Sequence, residues 1–305
     1  MDVLSLLPIS ENCYTISPMD SLNIRPSALA GAWYPDDPQD LRMSVEAFLA
    51  RGRSVIKEHE QRLLALILPH AGHKYSGRTT GAGVAMASRE PAAWSRIILM
   101  GPSHRAFVQG AVLAGASFFE TPLGRVPVDR AAVAKLMASG VSCADGPHEK
   151  EHCLEILLPF FQVAFKPFQI VPLLLGKLSD TDRRRLAAGL RDIVDDRTLL
   201  VASSDFVHYG ADFDYLPPVG PDVQAGVREI DEGAVKRIRA LNAAGLLSYR
   251  RTTGATICGI MPIAVLLDTL PHGTTAELLD YSQSAEVTGE TDHMVSYAAL
   301  AFFQS

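Results

Sequence analysis

The sequence predicts an α/β fold, a mostly parallel central sheet with helices on both faces. Three observations predict it. The apolar runs at 63–68, 96–100, 169–174 and 199–202 are continuous rather than alternating, as strands buried on both faces must be. Stretches of helical period lie between such runs, and strand–helix alternation is the pattern of parallel strands joined by crossovers. The chain has 305 residues, 48% of them hydrophobic, enough to bury a sizeable core and too apolar for disorder.

The elements follow in chain order. Residues 1–23 show neither period and lack the basic start and apolar stretch of a signal peptide, so a loosely ordered N-terminal arm is expected. The run 63–68 is the first strand, and the small residues of 77–88 follow as a helix. The run 96–100 is β-branched at its start and ends at Gly101-Pro102. Asp129 caps a helix over 129–139 that puts Val133, Leu136 and Met137 on one face and stops at Gly140. After the strand 169–174, Ser179-x-x-Asp182 opens a helix over 179–194 whose Leu186, Leu190, Ile193 and Val194 recur at helical spacing. The strand 199–202 precedes an amphipathic helix marked by Val223, Val227, Ile230, Ile238 and Leu241. Residues 277–281 and 295–303 read as closing strands. The Pro- and Gly-rich stretches 145–147 and 215–222 are short enough to be loops, and no repeat or low-complexity linker divides the chain.

Composition excludes several function classes. With 28 basic and 34 acidic residues the formal net charge is 28 − 34 = −6, which offers no footprint for nucleic acid or an anionic membrane. The apolar runs are far shorter than a membrane span. Cys13, Cys143, Cys153 and Cys258 include no C-x-x-C pair, so a disulfide framework is not expected and the reducing cytoplasm is the expected compartment.

Chemistry gathers where three strands end. The run 63–68 leads into Pro69-His70-Ala71-Gly72, the run 96–100 into Gly101-Pro102-Ser103-His104, and the run 199–202 into Ser203-Ser204-Asp205-Phe206-Val207-His208. Ligands of open α/β sheets bind beyond the carboxyl ends of the strands. Each histidine alone reads equally well as a loop cap or a satisfied core group; three at strand ends read as a site. Cys258 precedes the apolar run 260–267, where a helix dipole favours thiolate. A thiolate beside neutral imidazoles is a ligand set for a divalent transition metal, although a lone cysteine is equally a small buried hydrophobe. His148-Glu149-Lys150-Glu151-His152 matches the H-E-x-x-H zinc pattern, but Pro147 places His148 at or before a helix start and no third ligand follows. His152 with Glu155, three residues on, is the better reading of that segment, as an acid/base or supporting pair.

Leu68-Pro69-His70-Ala71-Gly72, Gly101-Pro102-Ser103-His104, Glu151-His152-Cys153-Leu154-Glu155, Ser203-Ser204-Asp205-Phe206-Val207-His208-Tyr209-Gly210 and Thr256-Ile257-Cys258-Gly259 together resemble the Memo family. Its prokaryotic members are called AmmeMemoRadiSam system protein B. Gly31-Ala32-Trp33-Tyr34 and Tyr281-Ser282-Gln283-Ser284 also fit, and the motifs run in order from Arg25 to Phe303. The resemblance implies a single domain over 24–305 with a fold like the class III, LigB-type extradiol dioxygenases. Those enzymes hold non-haem Fe(II) by two histidines and a carboxylate. In Memo-like proteins a cysteine takes the carboxylate position, which implies His70, His104 and Cys258 as metal ligands here. It places Asp205 and His208 beside them, with His208 as acid/base and His152 as a further catalytic candidate. Fe(II) is the implied cofactor; a thiolate also shifts preference toward copper and zinc, and it exposes the site to oxidation.

Two departures stand out. His73 replaces a frequent tyrosine, which offers an alternative ligand or hydrogen bond. Cys153 replaces a serine and brings a second thiol. Three functional readings follow. The first is an iron oxidoreductase related to the dioxygenases, acting on a small molecule such as an aromatic diol. The second is a metal- or peptide-binding interaction protein that uses the same pocket without turnover. The third is a thiol hydrolase with Cys258 as nucleophile, served by His208 and Asp205. The resemblance also implies a functional link to radical SAM and AMMECR1-like proteins.

Overall fold

The computed structural model describes residues 23–57, 59–90 and 93–304. The expected arm, 1–23, lies outside them except for Asn23, as does Cys13. Asn23 itself is held: its carbonyl accepts from the N–H groups of Ser117 and Phe118, and its amide donates to Asp145 at 2.8 Å.

The main sheet runs, in spatial order, His208–Tyr209, Met294–Phe303, Leu63–Leu68, Thr198–Ser203, Arg96–Pro102, Gln169–Leu175, Ala111–Leu113 and Ser142–Cys143, with Thr275–Gln283 also paired to Met294–Phe303. The central strands Leu63–Leu68, Thr198–Ser203, Arg96–Pro102 and Gln169–Leu175 are all mutually parallel, as the strand–helix alternation predicts. The strands flanking this core are antiparallel to it: Met294–Phe303 opposes Leu63–Leu68, and Ala111–Leu113 opposes Gln169–Leu175, while the outer pair Ala111–Leu113 and Ser142–Cys143 is parallel. Thr275–Gln283 and Met294–Phe303 are too close in sequence for the crossover that parallel pairing requires, so they pair antiparallel. A smaller sheet of Ile24–Arg25, Phe118–Thr121 and Gly124–Pro127 ties the start of the described chain to the body.

Helices cover both faces. Pro38–Val55, His73–Ala87 and Leu158–Ala164 form one layer, with His73–Ala87 packed on Leu63–Leu68 and the closing strands. Asp180–Arg191, Val223–Arg239, Ala243–Thr253 and Ile260–Thr269 form the other, with Ile260–Thr269 packed on Thr198–Ser203 and Arg96–Pro102. The buried apolar side chains, from Leu29 to Phe303, make one contiguous cluster. Among the described residues no helix is long and apolar enough to cross a membrane.

Local signals act as read at several ends. Asp129 caps Arg130–Ala138 through the Ala132 N–H, and Ser179 caps Asp180–Arg191 through the Asp182 N–H. The latter helix stops at Arg191, short of the expected 194, and Val194 is left exposed. The helix expected at 77–88 begins instead at His73, directly after the His70 loop. His148 lies in the short helix Gly146–Glu149 and His152 lies beyond its end, so the H-E-x-x-H residues share no helical face. His148 is buried with Nε2 on the Val112 carbonyl at 3.2 Å.

Candidate metal centre

Parallel register brings the three strand ends together. Leu68 is paired with Ser203 and Met100 with Ala202, so His70, His104 and Asp205 leave the sheet at one edge. The Ser204 N–H donates to the Leu68 carbonyl at 2.8 Å, and the His70 N–H donates to Asp205 Oδ1 at 2.7 Å. Cys258 arrives from the loop before Ile260–Thr269 and presses against the Ser203–Ser204 turn. Only glycine permits that approach, since a Cβ on Gly259 would lie 2.3 Å from Ser204 Cβ. The Gly259 N–H donates to Ser204 Oγ at 3.0 Å and secures the contact.

The result is a compact donor set. One ligand-type atom from each of His70, His104 and Cys258 lies within 4.8 Å of the others. The Cys258 sulfur is 3.1 Å from His70 Nε2, and the two imidazole rings stand edge to face at 5.1 Å.

Hydrogen bonds decide the tautomers. The Ser203 hydroxyl donates its one proton to the Cys153 carbonyl at 2.6 Å. It can therefore only accept from His70 Nδ1, 2.8 Å away, so His70 carries its proton on Nδ1 and presents a bare Nε2. Glu151 does the same for His104, taking Nδ1–H at 3.0 Å. This carboxylate is buried and also accepts the backbone N–H groups of His104, Arg105, His152 and Cys153. Burial alone would raise its pKa, but the His104 and His152 imidazoles and these donors outweigh burial and hold it well below the usual carboxylate range.

The electrostatics match. Burial, reinforced by the imidazoles of His104, His152 and His208, keeps His70 far below its ordinary pKa and therefore neutral. Burial pushes the Cys258 thiol up, with Asp205 adding to the effect. The helix-dipole argument for a free thiolate is thus outweighed in the protein alone. Burial also raises the pKa of Asp205 from its ordinary value, against the pull of His208 and the His70 N–H. A divalent cation among these donors inverts that logic by stabilising the thiolate and bare imidazoles.

His208 and His152 flank the centre. His208 Nδ1 faces the carbonyls of Phe206 and Thr256 at 3.0 and 2.9 Å, so Nδ1 carries a proton and Nε2 is the bare nitrogen of the neutral ring. The Thr256 hydroxyl accepts the His208 N–H and donates to its carbonyl, coupling this strand end to the Cys258 loop. His152 stacks on His104 at 4.4 Å and lies 4.7 Å from the Trp33 ring. Its Nδ1 is 3.1 Å from Glu151 Oε1 but is not aligned for a hydrogen bond, leaving a buried imidazole nitrogen unsatisfied beside the centre.

Two expectations are corrected by these contacts, and of the two alternatives for His73 the hydrogen bond is the one that forms. Glu155 does not partner His152: it is fully buried and accepts from Arg25, Ser27, Tyr34 and the N–H groups of Ala28 and Leu29. His152 lies before the 3-10 turn Glu155–Leu157 and shares no helix with Glu155, so the spacing of three does not bring their side chains together. The hydrolase arrangement does not assemble, because Cys258 contacts His70 while both carbonyl partners of His208 are backbone. His73 is a core group, with Nε2 on the Ile156 carbonyl at 2.9 Å and burial lowering its pKa to about 4. Cys153, likewise buried, donates to the Pro102 carbonyl at 3.1 Å. The sequence reading missed Ser203 and Glu151 as orienting groups; both stand beside singled-out residues, but their directions are set only by tertiary packing.

Comparison with known proteins identifies the family. The profile of the Memo-like protein family matches residues 25–301. A memo-1 homolog of Caenorhabditis elegans is 31% identical, over 92% of this chain and 82% of its own length. A MEMO1 family protein of Methanosarcina barkeri is 30% identical over 91% of this chain and 99% of its own. One from Schizosaccharomyces pombe is 29% identical over 90% and 97%. The crystal structure of an uncharacterized Escherichia coli K12 protein, JW3007, shares the fold with a TM-score of 0.54 and 14% identity, covering 79% of this chain and 99% of that one. The chain belongs to the Memo-like family.

Proposed function

We propose that this protein binds one divalent metal ion, Fe(II) in the first instance, through His70, His104 and Cys258, and is an oxidoreductase related to the extradiol dioxygenases. The observation that carries the proposal is the enforced tautomer of both imidazoles. Ser203 and Glu151 each take an Nδ1 proton, so both Nε2 lone pairs are available beside a sulfur 3.1 Å from one of them. Orienting hydrogen bonds of this kind are the usual companions of metal-ligating histidines. Three protein donors leave coordination positions for substrate and oxygen.

Bound there, iron would supply one-electron chemistry and a Lewis acid for a small aromatic diol. The protein's own part is to hold and move protons. His208 offers a bare Nε2 as base, fixed by its Nδ1 proton on the Phe206 and Thr256 carbonyls. Asp205 orients the His70 backbone by accepting its N–H, and burial raises its pKa. His152 and Trp33 wall the site on the His104 side. Anaerobic loading with Fe(II), followed by oxygen uptake with a panel of diphenols, tests the reading. Stoichiometric iron with no uptake overturns the oxidoreductase and leaves a metal-binding protein; a chain that takes up no metal overturns both.

A further inference from the structure

A cavity of about 600 Å³ adjoins the centre on the His104 side, between the 28–33 loop, residues 105–106 and the 146–150 segment. The two share a wall. Trp33 lines the cavity and lies 4.7 Å from His152, which stacks on His104. Arg105, also lining it, follows His104 directly, and the N–H groups of both residues are fixed on Glu151 Oε2. The base of the stem of Arg105 is therefore held in register with the His104 ligand.

The lining divides into two kinds. Ala28, Leu29, Ala32, Trp33 and Ala106 are apolar, with one indole face large enough to stack an aromatic ring. Arg105, Lys150 and Glu149 carry charge, a net of one positive unit, and no ion pair engages either cation among the described residues. An unpaired guanidinium lining the same cavity as an indole suits a planar molecule ending in a carboxylate, because its fork matches two carboxylate oxygens. The volume fits a single-ring ligand.

We infer that this cavity is an outer subsite that binds the carboxylate of a small planar substrate through Arg105 and Lys150, with the body of the molecule against Trp33 and its other end at the His70–His104–Cys258 centre. The inference rests on the metal reading for what happens at the far end, but the carboxylate preference itself does not require metal. It is tested with caffeate and caffeyl alcohol, which share a planar diol skeleton and differ by carboxylate against hydroxymethyl. Binding is measured by anaerobic calorimetry on zinc-loaded and on metal-free protein. Caffeate is expected to bind about tenfold to a hundredfold tighter than the alcohol, the range for a charge-assisted hydrogen-bonded pair. Arg105→Ala should abolish most of that preference, Lys150→Met should reduce it, and Arg105→Lys should restore part of it. Equal binding of the two probes, no binding of either, or a preference that survives Arg105→Ala with Lys150→Met overturns the subsite. A chain that holds no zinc but prefers caffeate overturns the metal reading alone.

Discussion

The Cys258 sulfur faces a lone pair of His70 at 3.1 Å, because the proton of that imidazole is on its other nitrogen, held by Ser203. In the protein alone the thiol keeps its proton, since burial raises its pKa. A metal must displace that proton, so affinity is expected to rise with pH and binding to release acid. His70→Ala and Cys258→Ser should each abolish retention of metal while leaving the fold intact, as read by elemental analysis and circular dichroism. Cobalt substitution should give a thiolate charge-transfer band that Cys258→Ser removes. Full metal retention in both variants would sink the ligand assignment.

The orienting groups give a graded effect. Ser203→Ala removes the acceptor of the His70 Nδ1 proton, and Glu151→Gln replaces an acceptor-only carboxylate facing His104 by an amide. Each should weaken metal binding about 10- to 100-fold in chelator competition, the usual cost of losing such a partner. Glu151→Gln should also loosen the 104–105 turn, because the carboxylate gathers four backbone N–H groups. Unchanged affinity in Ser203→Ala would show that this hydroxyl does not set the tautomer.

The central strands were legible because a strand buried on both faces must be apolar throughout, and 63–68 and 170–174 are. Placement of His70, His104 and Asp205 at strand ends followed from that alone. The helix Pro38–Val55 was not read, although Asp37 caps it, Pro38 opens it, and Leu41, Val45 and Leu49 recur at four-residue spacing on its buried side. The antiparallel flanking strands were hidden because continuous apolar runs mark double burial, not strand direction. The pairing of His152 with Glu155 failed for a different reason. Spacing of three implies a shared face only where both residues are helical, and here His152 lies before the 3-10 turn that begins at Glu155, whose carboxylate is claimed by Arg25, 130 residues away in sequence. No local signal announces such a partner. Memo-like motifs implied the candidate ligand set, but the hydrogen bonds that fix the Nδ1 protons of His70 and His104 came only from the packed structure.

Arg25 and Glu155 form a pair buried on both sides, and Glu155 also holds the 27–34 segment that carries Trp33. Arg25→Met leaves a carboxylate buried without its cation and should cost about 3–5 kcal/mol in urea unfolding. Adding Glu155→Gln should recover part of that loss, because the uncompensated charge is gone. The same single variant should loosen Trp33 against His152, read as a red shift and greater quenching of indole fluorescence. A cost under about 1 kcal/mol, the range of exposed pairs, would contradict the buried geometry.

Asp231 is fully buried beneath the His208 strand end. It accepts the Val207 N–H at 3.1 Å and the Tyr281 hydroxyl at 2.8 Å. Burial raises its pKa from 3.8 to about 7, against the opposing pull of Ser296, Tyr281 and the Val207 N–H. The folded state therefore binds a proton more tightly than the unfolded chain. Its contribution to stability is full below the unfolded pKa of 3.8 and is lost as pH rises through about 7, a loss of a few kcal/mol. His73 and His148 act in the opposite sense, because burial lowers both to about 4 and their contribution is lost as pH falls toward that value. The wild-type profile is thus a sum of opposed slopes, and the difference from Asp231→Asn isolates one of them. An asparagine accepts the Val207 N–H without ionising, so the variant should lose stability relative to wild type at low pH and regain it as pH rises through about 7. Unfolding curves for both proteins across that range check this; parallel pH profiles would place the Asp231 proton elsewhere.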